Sequence, residues 1–132
     1  MANKLFPSYK ELCLTTPPDL SSDTIKIILI DGDDYIQSDA HEDLADVAAA
    51  ARVAEATLGS KTTTNGVFDA ADPVFSAVTG DECEELLGYY DSTVEATSSL
   101  IFFFDTSITG MPVTPNGEDI TVALNASGIF AL

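Results

Sequence analysis

The sequence predicts an all-β protein, an antiparallel β-sandwich of jelly-roll or immunoglobulin-like topology preceded by a short N-terminal helix or arm. Three observations predict it. From Arg52 onward, apolar-rich runs recur at Arg52–Leu58, Gly66–Phe68, Val74–Val78, Glu85–Tyr90, Ser98–Asp105, Asp119–Leu124 and Ile129–Leu132, each bounded by Gly, Pro, Asn, Asp or Ser. Short strands separated by turn signals every 8–12 residues or so are the pattern of a sandwich or barrel. Thr24–Ile30 is dominated by β-branched side chains, the composition of a strand. Finally, 132 residues with 45% hydrophobic side chains are enough for one domain with its own core.

The elements follow in order. Residues 1–22 form the arm: Leu5, Phe6, Tyr9, Leu12 and Leu14 fall at roughly helical spacing after Pro7, which suits a first helical turn. Thr16-Pro17-Pro18 then stops the helix, because a residue before proline is pushed toward extended geometry. The arm either packs on its own sandwich or reaches a neighbouring subunit. Residues 23–132 form the sandwich. Thr24–Ile30 has Lys26 as its only charge and reads as a central strand. The acidic connection Asp31–Asp46 follows, in which His41–Val47 reads as a short helix with acids in its first turn, or as a loop crossing the sheet.

Asn65-Gly66 is a tight-turn dipeptide before Val67-Phe68. Pro73 can open a strand, since a first position need not donate to the ladder. Leu86, Leu87, Tyr89 and Tyr90 form a strand around Gly88. Leu100–Phe104 is a core strand or part of an interface, with Leu100, Phe102 and Phe104 on one face and Ile101 and Phe103 on the other. Pro112, Pro115, Asn116 and Gly117 make a loop, and Ile129–Leu132 ends the chain as a paired strand.

The charge balance excludes partners. Five Lys and Arg against 22 Asp and Glu give a net charge of −17. Nucleic-acid binding runs on cations releasing counterions from phosphate, and anionic membranes repel such a surface, so neither is a partner. The composition is too apolar for a disordered acidic chain. Residues 62–132 hold 11 acids and no Lys or Arg, so their carboxylates face solvent, a partner, or the cations of the first half. No apolar h-region follows Met1, and the longest apolar run, Leu100–Phe104, is far short of a membrane span.

No constellation of catalytic or metal-ligating type stands out. Counting Asp31 as the first position of a twelve-residue calcium loop places Asp33, Asp39 and Glu42 at liganding positions, but Ile36 falls where the sharp turn needs Gly. A solvated acidic loop is the reading preferred, with no metal. His41, the single histidine, reads as a surface residue beside Glu42 and Asp43. Cys13 and Cys83 read as buried thiols, and the acids around Cys83 raise rather than lower its pKa. No cofactor and no enzyme activity are expected.

Asp23–Asp31 with Tyr35, Arg52–Ala54 with Ala56–Leu58, Gly66–Asp72, Val74–Gly80, Tyr90-Asp91 with Ala96–Ile101, and Gly110–Ile120 together resemble a family of small structural proteins from tailed-bacteriophage virions. The resemblance spans residues 23–132 and rests on order and phrasing, with no catalytic signature. Relatives usually have a basic residue close to the C-terminus, where Ala131 stands here, so a charged contact there is not implied. The resemblance implies a capsid decoration (cement) protein of the virion, assembled in the host cytoplasm, a homotrimer that binds the major capsid protein. In that picture Leu5, Phe6, Tyr9, Lys10 and Leu12 are the capsid-contact candidates. A tail or adhesin-type module that contacts a host surface receptor is the alternative.

Overall fold

The computed structural model describes residues 3–105 and 110–132; Met1 and Ala2 of the arm lie outside the described residues. The fold is all-β, with antiparallel sheets and one short α-helix. The strands are β1 (Lys4–Leu5), β2 (Ile25–Ile30), β3 (Arg52–Thr57), β4 (Val67–Phe68), β5 (Val74–Phe75), β6 (Glu85–Tyr90), β7 (Leu100–Phe104), β8 (Ile120–Thr121) and β9 (Phe130–Ala131); helix α1 covers Pro7–Cys13. The main sheet has the order β1-β7-β6-β2-β3, and β4-β9 and β5-β8 form two small sheets.

The centre of the main sheet is apolar on both faces because both faces are covered. Residues directly opposite each other in an antiparallel ladder share a face. Ile27, Gly88 and Phe102 are therefore neighbours on one face, and Ile28, Leu87 and Phe103 on the other. Phe102 meets Phe130 of β9 with ring centroids 6.1 Å apart, while Phe103 meets Phe6 at 6.5 Å and Tyr35 at 5.9 Å. This resolves the reading of Leu100–Phe104: it is a core strand, with Leu100 to Phe103 fully buried.

The arm is part of that core. Lys4 and Leu5 pair with Phe103 and Phe102, and the Phe6 amide continues the ladder to the Ile101 carbonyl at 2.9 Å. Pro7 sits in the first turn of α1, where its missing N–H costs nothing. Phe6 and Tyr9 are buried, Tyr9 with its ring 6.0 Å from Phe130. Of the two readings of the arm, packing on its own sandwich is the one seen, and the contact role of Phe6 and Tyr9, two of the five contact candidates, is corrected because both are core residues of this chain. Leu5 and Leu12 are half-buried, and Lys10 is exposed.

Three further local expectations are refined. At Asn65-Gly66 both residues adopt positive φ, 57° and 77°, the backbone a tight hairpin turn demands, and Thr62 and Asp69 pair across it. The helix read over His41–Val47 shrinks to a single 3-10 turn, Leu44–Asp46. There the Asp43 and Asp46 carboxylates accept the backbone N–H groups at each other's positions, a reciprocal cap. The strand read over Val74–Val78 ends at Phe75, because Ala77 takes φ 46° and Val78 bonds instead to Glu118 and Gly117.

Candidate functional site

Four of the five cations are engaged within the chain. Lys26, on β2, reaches Glu55 of β3 at 3.4 Å and Asp91 at 3.2 Å. Arg52 donates to the Leu44 and Val47 carbonyls at 2.8 and 2.6 Å, closing the acidic connection onto the sheet, and its Nη2 lies 2.9 Å from Glu95. Lys4 pairs with Asp39, and Lys61 donates to the Asp23 carbonyl at 2.6 Å. The guanidinium beside Glu95 and the ammonium beside Asp39 hold those carboxyls below their ordinary values. The first half of the chain thus supplies charge to the second, through Asp91 and Glu95. Lys10 remains exposed on α1.

The twelve-residue calcium reading of Asp31–Glu42 does not assemble. Asp39 is taken by Lys4, and Glu42 lines a hollow against α1. The carboxylates that do approach Asp31 come partly from elsewhere: Asp34 with Asp81, and Asp33 with Glu84, each group within 4.8 Å. Backbone N–H groups of the turn hold two of these carboxylates in place. Asp31 accepts the Asp33 N–H at 2.9 Å, and Glu84 accepts the Gly32 N–H at 2.7 Å.

His41 is not a simple surface residue. It is half-buried, its Nδ1 is 2.9 Å from the Tyr35 hydroxyl, and the rings lie 5.5 Å apart. Tyr35 is itself buried against Phe103, and that burial, then Asp46 and Glu85, pushes its phenol up. Cys83 is fully buried and its thiol is pushed up to about 11, first by burial and then by Glu84 and Asp31. Cys13 is half-buried, and both cysteines are free thiols.

Sequence reasoning missed Glu85. It opens β6 half-buried, opposite Ile30, with its Oε1 buried and without a hydrogen-bond partner among the described residues. Burial, then Asp105 and Glu84, push its carboxyl from 4.5 up to about 7. The strand run Glu85–Tyr90 with an acid at its first position was the only signal available. Because the folded value is raised, the protonated carboxyl favours the folded state, and stability is lost as pH rises from about 4.5 through 7. Glu85→Gln is expected to raise stability at pH 8 by on the order of 1–2 kcal/mol, solvent screening having reduced the full linkage value, and to change it little at pH 5. Denaturant melts of both proteins at the two pH values check this. A difference between them that is the same at both would contradict it.

Two concave features lie along α1. A hollow of about 350 Å³ is lined by Glu11 and Leu12 from the helix, by Glu42 and Asp43, and by Thr97 and Ser99. Leu12 and Ser99 also line a second hollow of about 270 Å³, with Pro17, Pro18 and Tyr90. Burial and the neighbouring Asp46 push the Asp43 carboxyl above its ordinary value. No family model matches this chain, and no curated protein matches its sequence.

Proposed function

We propose that this protein is a capsid decoration (cement) protein of a tailed-bacteriophage virion, a homotrimer that binds the major capsid protein of the mature head. The observation that carries the reading is the disposition of charge on an antiparallel β scaffold. Four of the five cations are committed inside the chain, so among 22 carboxylates the unpaired, exposed ones dominate what a partner meets. Such a surface favours a cationic protein lattice over nucleic acid or an anionic membrane. The resemblance to virion structural proteins over residues 23–132 supports the same assignment. A protein that binds the mature lattice and not its disassembled form stabilises the lattice by mass action, and many weak copies suffice when the lattice supplies avidity.

Of the five contact candidates, Lys10 and Leu12 remain suited to that role, joined by Leu14, which is 87% exposed just beyond α1. Adding the purified protein to phage heads that lack it is expected to raise the temperature at which they release DNA. An unchanged release temperature at saturating protein would contradict the cement role and favour a tail or adhesin-type module.

A further inference from the structure

We propose that the groove beside α1 binds an extended basic segment of a partner polypeptide, laying a Lys or Arg stem along Leu12 and holding its charge with Glu11 and Glu42. This deepens the decoration reading by naming the surface that would meet the capsid, and it rests on that reading for the partner's identity alone. The two hollows share Leu12 and Ser99, so they adjoin one another beside the helix and the segment that precedes β7.

The lining is matched to a cation with an aliphatic stem. Glu11, Glu42, Asp43 and Asp23 contribute carboxylates, and no Lys or Arg lines either hollow. Among the described residues, the Glu11 and Glu42 side chains neither accept a hydrogen bond nor meet a cation, unlike Asp39, Glu55, Asp91 and Glu95, which are already paired. Leu12, Ala96, Pro17 and Tyr90 add apolar surface between these charges. Lys and Arg bury such stems while their heads bond carboxylates in charge-assisted hydrogen bonds.

The occupant is not a second copy of this chain. Each copy has only five cations, four of them engaged, and a net charge of −17 opposes self-docking through an acidic groove. The groove calls for a different chain, basic and extended, whose side chains reach both hollows in succession.

The test uses the full chain and a labelled peptide of alternating lysine and alanine, with spermine as a non-peptide polycation. Glu11→Gln with Glu42→Gln removes two groove charges, and Glu82→Gln with Glu118→Gln removes two exposed charges elsewhere. All four side chains lie at the surface, so melting temperature serves to confirm that both variants fold. The groove variant is expected to bind the peptide about tenfold more weakly, and the control less than about twofold more weakly. Amide shifts on binding should centre on Leu12, Thr15, Thr97 and Ser99. Equal loss in both variants, shifts centred elsewhere, absence of peptide binding at low salt, or spermine binding as tightly at the same amides would each overturn the proposal. Because no capsid is present, this outcome is independent of the head-stability test.

Discussion

Replacing Gly88 by alanine is expected to cost about 3 kcal/mol or more, a large share of the roughly 5–15 kcal/mol that holds a domain of this size together. The backbone at Gly88 is ordinary strand, so the effect is not conformational. A Cβ placed there would lie 2.1 Å from Cε1 and 2.3 Å from Cζ of Phe102. That ring has no room to retreat: Phe102 is fully buried and lies 4.9 Å from Phe104 and 6.1 Å from Phe130, measured between centroids. The register of β6 and β7 shifts between Gly88 and Tyr89, so the ring sits over the strand at the one position without a side chain. Urea unfolding followed by far-ultraviolet circular dichroism measures the loss. Phe102→Leu in the Gly88→Ala background should recover part of it, whereas an unchanged midpoint for Gly88→Ala alone would contradict the packing described.

Removal of residues 1–13 should likewise abolish cooperative folding, where a detachable arm would leave the sandwich intact. The deletion takes away β1 from the edge of the main sheet and the Phe6 and Tyr9 side chains from the core. A buried aromatic cut back to alanine costs roughly 3–5 kcal/mol, and two such losses approach the whole stability of the domain. The single variant Phe6→Ala should fall in that range and still fold. Calorimetry of the truncated chain showing a sharp transition near the full-length temperature would refute an integral arm.

These two effects show where the sequence was legible. Thr24–Ile30, Glu85–Tyr90 and Leu100–Phe104 stood out because strands buried on both faces need continuous apolar residues, which leave a composition signal. β4, β5, β8 and β9 are two residues long each, so their turns identified them better than their side chains did. The strand was legible around Gly88, but only the register against β7 reveals that the glycine makes room for a ring. The placement of Phe6 and Tyr9 was open because an amphipathic arm has the same pattern whether it packs on its own sheet or on a neighbour's.

The candidate site was less legible still. The acids of the second half find Lys26 and Arg52 through strand neighbours and loop contacts, none of which follows from spacing. Asp31, Asp33, Asp39 and Glu42 looked like one loop's worth of ligands, yet Lys4 draws Asp39 away and Glu42 turns toward α1. Glu85 gave no warning because nothing in a run of acids says which carboxyl the fold will bury. The groove beside α1 is built from four separate stretches, residues 8–18, 23, 42–43 and 90–99, which only the folded chain brings together.

Copy number in purified virions tests the central claim most directly. Quantitative mass spectrometry should find this chain at a ratio of about one, or about one-third, to the major capsid protein, with hundreds of copies per particle, as lattice symmetry and avidity require. A handful of copies per particle, enough for a single ring or trimer, would contradict a role in cementing the head.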